Sequence, residues 1–176
     1  MTTTLALAAR LRALRDDALI SSLHRRSIRR AGVSDFFDLA EALLDAESVQ
    51  RALVGLDRTR LAVLIALGRA EAPLTAEAIA AQLAAEPATA GLTVPAVESA
   101  VEALGGLLLA QPAASEGTDD DDQEAGPRGF TGYDAVYARL TAWPEADLPS
   151  PDDLLHTAPP PALAPVPDTE RRFTDR

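Results

Sequence analysis

Residues 57–110 read DRTRLAVLIALGRAEAPLTAEAIAAQLAAEPATAGLTVPAVESAVEALGGLLLA and contain three helical patterns followed by a short apolar run. Asp57 and Thr75 are side chains of the type that caps a helix N-terminus, and Pro95 suits the first turn of a third helix. Apolar residues recur at three- and four-residue spacing after each of them, which is typical of helices with one buried face. A glycine pair then ends the third helix. The sequence therefore predicts three helices, with a short strand over 107–110.

A second short strand is predicted after an acidic loop. Residues 112–127 contain four consecutive aspartates, and Gly129-Phe130-Thr131 can return as the strand. The order helix, helix, helix, strand, loop, strand is that of a winged-helix unit, a relative of the helix-turn-helix. A helical pattern from Tyr133 to Leu140 predicts a closing helix that ends before Trp143-Pro144. We therefore predict a winged-helix-like domain over 57–143.

The residues before this unit predict a separate helical segment over 1–56. Leucines at helical spacing indicate two short helices, Ser34 is a candidate N-cap for a third, and Ser48–Leu56 fits a fourth. Alanine and leucine dominate the apolar residues whereas aromatic residues are only 4%, which favours helices over strands. The predicted fold class is mainly α, with an N-terminal helical segment followed by a winged-helix-like unit that has a short two-stranded wing.

The C-terminal region, 144–176, has a different composition. Prolines are dense between Pro149 and Pro167, which predicts an extended, disordered linker. The charged residues 168–176 end without a helix cap or core element. We therefore expect the linker to lead to further domains.

Composition excludes several kinds of chemistry. The chain has no cysteine, which excludes disulfides, zinc fingers and thiol nucleophiles. Every basic side chain is arginine, so the lysine of a P-loop or of a Schiff base is absent too. The longest apolar run, Leu61–Leu67, is far shorter than the roughly 20 residues that span a bilayer, and the N-terminus lacks a signal-peptide pattern. We expect a cytoplasmic protein with no membrane partner.

No residue pattern indicates catalysis, a cofactor or a metal. His24 and His156 lie far apart and lack further ligands at regular spacing, so we interpret both as surface residues. A nucleophile formed by Ser21 or Ser22 with His24 would lack an orienting carboxylate. The consecutive residues Asp119–Asp122 differ from calcium loops, in which oxygen ligands alternate, and are interpreted as a solvated loop. We expect no enzyme, no cofactor and no small-molecule substrate.

Charge is distributed unevenly along the chain. Met1–Arg69 holds 11 Arg against 8 Asp and Glu, whereas the remainder holds 5 Arg against 19 acids. The net charge of the whole chain is −11. A field of this sign repels nucleic acid from the C-terminal part. Glu98 and Glu102 are the only charged residues of the predicted third helix, which offers no Arg, Asn or Gln to base edges. The winged-helix pattern therefore favours protein contact over sequence-specific DNA contact.

One basic cluster lies in the N-terminal segment: Arg25, Arg26, Arg29 and Arg30. On a continuous helix, residues four apart lie one turn apart, so these arginines would form a compact patch for phosphates or for the carboxylates of a partner. The alternative is that they pair with carboxylates of their own chain. No aromatic residues lie between them, so base stacking is not supported.

Several Ala/Leu-rich runs occur in an order that is more informative than any one of them. The runs are 11–19, 48–53, 56–58 leading into 61–64, and 95–109, followed by Tyr137 and Pro151. In this order they resemble the N-terminal domain of bacterial XPB-type helicase-associated proteins. The resemblance implies a multidomain protein with a helical, winged-helix-containing N-terminal part and a role beside DNA repair or other DNA transactions.

Two functional hypotheses follow. The first is a non-catalytic accessory domain of a helicase-associated protein that docks onto a protein partner or onto later domains of its own chain. The alternative is a DNA-binding winged-helix protein of repair or transcription regulation that contacts phosphates through Arg25, Arg26, Arg29 and Arg30.

Overall fold

The computed structural model of the chain describes residues 3–26, 32–113, 128–142 and 150–157. These residues form helices, as the composition predicts, and one small sheet, as the pattern of residues 107–131 predicts. The helices are α1 (Thr4–Ala13), α2 (Asp16–Arg26), α3 (Phe36–Leu44), α4 (Ala46–Val54), α5 (Arg58–Arg69), α6 (Ala76–Ala84), α7 (Val94–Gly106), α8 (Asp134–Ala142) and α9 (Pro151–His156), and the strands are β1 (Ala110–Pro112) and β2 (Phe130–Gly132). The predicted fold class, mainly α with a short two-stranded wing, is confirmed.

Helix α5 lies at the centre of the fold. All seven residues of Leu61–Leu67 are buried, because α6, α7, α8 and α9 pack around this helix. A helix that is apolar on all sides must be enclosed in this way. The predicted caps are present: Asp57 Oδ1 accepts from Arg60 N at 2.9 Å, and Thr75 Oγ1 accepts from Ala78 N at 3.2 Å.

The wing is an antiparallel pair in which Ala110 lies opposite Gly132 and Pro112 opposite Phe130. Leu74, in the connection between α5 and α6, forms an isolated bridge to Phe130 through backbone hydrogen bonds of 3.0 and 2.8 Å. The bridge therefore ties the α5–α6 connection to the loop end of the wing, where Phe130 pairs with Pro112. The acidic loop, with Asp119–Asp122, lies outside the described residues.

The first strand begins later than predicted, at Ala110 rather than at residue 107. Leu107 closes α7 in a helical conformation, and Leu108 turns the chain with a φ of 57°. A left-handed conformation is costly for a leucine, at about 1–2 kcal/mol. The Leu108 side chain is fully buried, and this burial is worth a comparable amount. Residues 107–109 therefore form a buried turn and not the strand that the apolar run predicts.

In the N-terminal segment, α1 packs on α3 while α4 packs on α8 and α2 packs on α7. Buried residues from this segment and from the winged-helix-like unit belong to one hydrophobic cluster. The division of the chain at 56/57 remains a prediction, but contacts cross it at several points.

Two helix starts differ from the prediction. Helix α3 is capped by Asp35 rather than by Ser34: Asp35 Oδ1 accepts from Phe37 N and Asp38 N, at 2.8 and 2.9 Å. Helix α4 begins at Ala46 because Asp45 Oδ2 accepts from the amide of Glu47 at 3.0 Å. In both cases an aspartate close to the predicted start supplies the cap, since its carboxylate is a strong acceptor for free helical amides.

A short helix forms inside the region predicted to be an extended linker. In α9, the Ser150 hydroxyl and the Asp153 carboxylate form a reciprocal capping box, with Pro151 in the first turn. Leu155 is only 2% exposed and lies against the α5 side of the core. The prediction of an extended linker is therefore wrong for 150–157. The rest of the predicted linker, 144–149 and 158–176, lies outside the described residues.

Candidate functional site

The exposed side of α7 carries acids. Glu98 and Glu102, one turn apart, are both exposed, while Val97, Val101 and Leu104 are buried against the core. In a helix-turn-helix protein that reads DNA, the corresponding helix presents hydrogen-bonding side chains to base edges. Here it presents two carboxylates.

A groove of about 600 Å³ lies between α2, α7 and the base of the wing. Such a volume is in the range of ordinary ligand pockets. The walls come from four elements and the end of α1, so the groove joins the N-terminal segment to the winged-helix-like unit. Its lining residues are Arg10, Leu14, Ala18, Ser22, Arg25, Glu98, Val101, Glu102, Gly105, Gly106, Ala110, Gln111, Pro112, Arg128 and Phe130.

Arg10 builds one end of this groove. Its guanidinium donates to Gly105 O at 3.0 Å, to Ala110 O, and to the hydroxyl of Tyr133 at 3.4 Å. Tyr133 in turn donates to Gln111 Oε1 at 2.8 Å. Burial raises the pKa of the Tyr133 hydroxyl, and the neighbouring Arg10 charge opposes that rise. Arg10 therefore fixes α1 to the end of α7, where helical carbonyls carry partial negative charge, and it adds a second donor to Gly105 O, which also accepts from the amide of Leu108 at 3.1 Å.

Arg26 is buried rather than exposed, with 3% of its surface accessible. It donates to Leu107 O at 3.0 Å, to Leu43 O, and to Ser48 Oγ at 3.1 Å. Burial, followed by the positive charge of Arg51, lowers the pKa of Arg26 to about 10, so the side chain stays charged at neutral pH. The prediction that Arg26 belongs to an exposed patch is therefore wrong: its donors are directed at the interior of its own chain.

Arg25 is exposed and lies against the end of α7, where a Cβ on Gly106 would come within 2.9 Å of Arg25 Nη1. Arg29 and Arg30 lie outside the described residues. The structure thus separates the neighbours Arg25 and Arg26, since one faces solvent at the groove and the other is buried. Neither of them forms an ion pair with a carboxylate in the part of the chain that the structure describes.

The histidines and serines considered as candidate ligands or nucleophiles do not come together. His24 is exposed on α2, while His156 Nε2 lies 3.3 Å from Glu86 Oε2 next to α9. Ser22 is buried and Ser21 is exposed. Within the described ranges, no group of three or more His, Asp or Glu side chains could hold a metal ion.

A second cavity, of about 550 Å³, lies between α5, β2 and α8. The Tyr137 ring packs directly on Gly68 there: a Cβ on Gly68 would lie 2.0 Å from the ring atom Cδ2. Gly68 is thus a position of close packing between α5 and α8.

Sequence reasoning identified the acids of α7 but missed the groove and the role of Arg10. The sequence predicts the glycine pair at 105–106 only as a helix end. In the structure Gly106 leaves room for the guanidinium group of Arg25, because an added Cβ would lie 2.9 Å from Nη1, whereas a Cβ on Gly105 would be in ordinary contact with Arg10 at 3.5 Å. The signal available in the sequence was a pair of small residues in α7 and arginines in α1 and α2. These residues are about 80–100 positions apart, so sequence alone does not show that they are in contact.

None of the helices in the described residues is long and apolar enough to cross a lipid bilayer. The chain matches no protein-family model, no curated protein and no solved structure.

Proposed function

We propose that this chain is a non-catalytic, cytoplasmic accessory domain of a helicase-associated, DNA-transaction protein. Its winged-helix-like unit docks onto a protein partner, or onto later domains of its own chain, and does not read duplex DNA. The observation that carries the proposal is the surface of α7, where both exposed charges are carboxylates.

Two physical arguments support protein docking over DNA reading. Duplex binding depends on cations that neutralise phosphates, and base readout depends on donors such as Arg, Asn and Gln at the groove edges. Glu98 and Glu102 repel phosphates and cannot replace those donors. In addition, α2 packs beside α7. It therefore restricts the access of a DNA duplex to α7, the helix that would have to enter the major groove.

A titration with labelled duplex DNA tests the first argument. Fluorescence anisotropy at 50 mM and at 150 mM NaCl is expected to show no saturable binding of the full chain at micromolar concentrations. A variant with Glu98→Arg and Glu102→Arg should gain binding that weakens steeply with salt, because the opposing charges are removed. Tight, salt-sensitive binding by the unmodified chain would refute the proposal.

Capture of partners tests the docking itself. The full chain is used as bait in lysate, with and without nuclease treatment and with duplex DNA as competitor. The proposal expects a protein that is retained after nuclease treatment and that binds again when purified, as measured by calorimetry. Loss of all captured protein on nuclease treatment would favour the DNA-binding alternative.

One observation favours that alternative: Arg25 is exposed and has no carboxylate partner in the described residues. Its test replaces Arg25, Arg29 and Arg30 by Glu and keeps Arg26, since a change at that buried side chain would damage the fold. A matched control carries Glu at three exposed arginines elsewhere, Arg12, Arg15 and Arg51. If these arginines contact phosphates, the first variant should lose salt-dependent DNA binding and the control should keep most of it.

A further inference from the structure

The groove between α2, α7 and the wing has opposite charges on its two sides. Arg25 and Arg128 line the side of α2 and the wing, whereas Glu98 and Glu102 line the side of α7. All four side chains are exposed, and none is in an ion pair within the described residues. These charges are thus available to a molecule that enters the groove.

The floor of the groove is apolar and consists of small or buried side chains. Val101 and Ala110 are buried there, and Leu14 and Phe130 are half-buried. Ala18 adds almost no side chain, and at the glycine end of α7 the guanidinium groups of Arg10 and Arg25 lie against the backbone. An apolar side chain that entered the groove would lose water contact where it faces this floor, which stabilises binding by about 25 cal/mol for each Å² buried.

The dimensions fit about two turns of helix. From Glu98 to Gly106 the groove follows α7 for eight residues, or about 12 Å at 1.5 Å per residue. Apolar anchors at positions i, i+3 or i+4, and i+7 of an amphipathic helix span a similar length.

We propose that this groove binds an amphipathic helix of a partner protein, an inference that rests on the docking function proposed above. The apolar stripe of the helix lies on the half-buried side chains Leu14 and Phe130. Acidic residues along one edge of the stripe face Arg25 and Arg128, and basic residues along the other edge face the two glutamates. The charge pattern favours such a helix over a nucleic acid, whose uniform negative charge would also face Glu98 and Glu102.

The probe is a displayed library of random 16-residue peptides, selected for binding to the full chain. We expect enrichment of peptides with an apolar helical stripe that has acids on one edge and bases on the other. Ala18→Trp fills the groove and should weaken the selected peptides at least tenfold in calorimetry. Circular dichroism melting of each variant shows whether its fold is retained.

A charge exchange tests the proposed orientation. Arg25→Glu combined with Glu102→Arg keeps the net charge and exchanges one of the two opposite charge pairs across the groove. The selected peptides should lose at least tenfold in affinity, and peptides in which the acid facing residue 25 and the base facing residue 102 are exchanged should recover it. The matched control combines Arg12→Glu with Glu41→Arg, both exposed and away from the groove, and should change affinity less than twofold.

The outcomes separate this inference from the docking function. Peptides that bind equally well to the Ala18→Trp and charge-exchange variants would overturn the groove as the site while leaving the docking function standing. Failure to enrich any peptide would overturn the inference. Duplex DNA that displaces the peptides, and whose own binding changes with the charge exchange, would overturn both.

Discussion

At the scale of single residues, arginines add hydrogen bonds at the C-terminal ends of helices that are distant in sequence. Arg10 donates to Gly105 O near the end of α7, and Arg26 donates to Leu43 O near the end of α3. Arg58 does the same for the end of α9. The last carbonyls of a helix lack amide partners and carry partial negative charge, so a planar guanidinium with several donors suits them. The chain has 16 arginines and no lysine, and part of its arginine content has this structural role.

Removal of the buried guanidinium should be costly. Arg26→Met leaves the carbonyls of Leu43 and Leu107 without these donors, and we expect the free energy of unfolding to fall by about 2–3 kcal/mol in urea titration. Arg12→Met, at an exposed position, should change it by less than about 0.5 kcal/mol. Equal effects of the two substitutions would show that the Arg26 hydrogen bonds do not stabilise the fold.

Gly68 should not tolerate a methyl group. Alanine is usually favoured over glycine in a helix by about 1 kcal/mol, but here the new Cβ would overlap the Tyr137 ring. We expect Gly68→Ala to destabilise the chain by about 1–3 kcal/mol in thermal or urea unfolding, as overpacked cores do. In a Tyr137→Ala background the same substitution should become neutral or stabilising. A loss that is the same in both backgrounds would contradict the packing argument.

At the scale of elements, α9 is a short helix held by a few contacts, so it should be able to unfold while the rest of the chain stays folded. Leu155→Ala removes the side chain that anchors it, and the amide of Ala88, which donates to Leu155 O, should exchange faster with deuterium. Amides within α5 should keep their protection. The exposed Leu5→Ala serves as a control of the same chemistry and should leave Ala88 unchanged. A uniform increase across α5 would show instead that α9 unfolds together with the whole core.

The capping box of α9 also predicts a dependence on pH. Hydrogen bonds from the Ser150 side chain and backbone lower the pKa of the Asp153 carboxyl. A carboxyl whose pKa is lowered in the folded state stabilises above its unfolded pKa, and this contribution is lost as the pH falls through the folded pKa. We therefore expect α9 to loosen below about pH 4. In NMR titration, Ser150→Ala should raise the pKa of Asp153, and an unchanged value would contradict the assigned cause.

The elements differ in how far the sequence could predict them. Helices α5 to α7 follow from caps and apolar periodicity, because both signals are local. Helix α9 was missed because the surrounding prolines suggest an extended chain, and its helix depends on the burial of Leu155 against distant residues. The burial of Arg26 was missed for the same reason: its acceptors on Leu43 and Leu107 lie 17 and 81 residues away. The acids of α7 could be identified because they are properties of a single helix.

At the scale of the whole molecule, negative charge is in large excess, with 27 acids against 16 arginines. Arg26 and Arg58 donate to carbonyl oxygens and so do not neutralise carboxylates. Repulsion among acids without a positive partner destabilises a compact state. Salt weakens this repulsion, because the Debye length shortens from about 30 Å at 0.01 M to about 10 Å at 0.1 M. We therefore expect the urea midpoint to rise between 10 and 200 mM NaCl. Replacing Asp119–Asp122 by Asn removes four of the negative charges and should reduce this rise. A midpoint that falls with salt would mean that attraction between charged side chains outweighs repulsion, contrary to the balance inferred here.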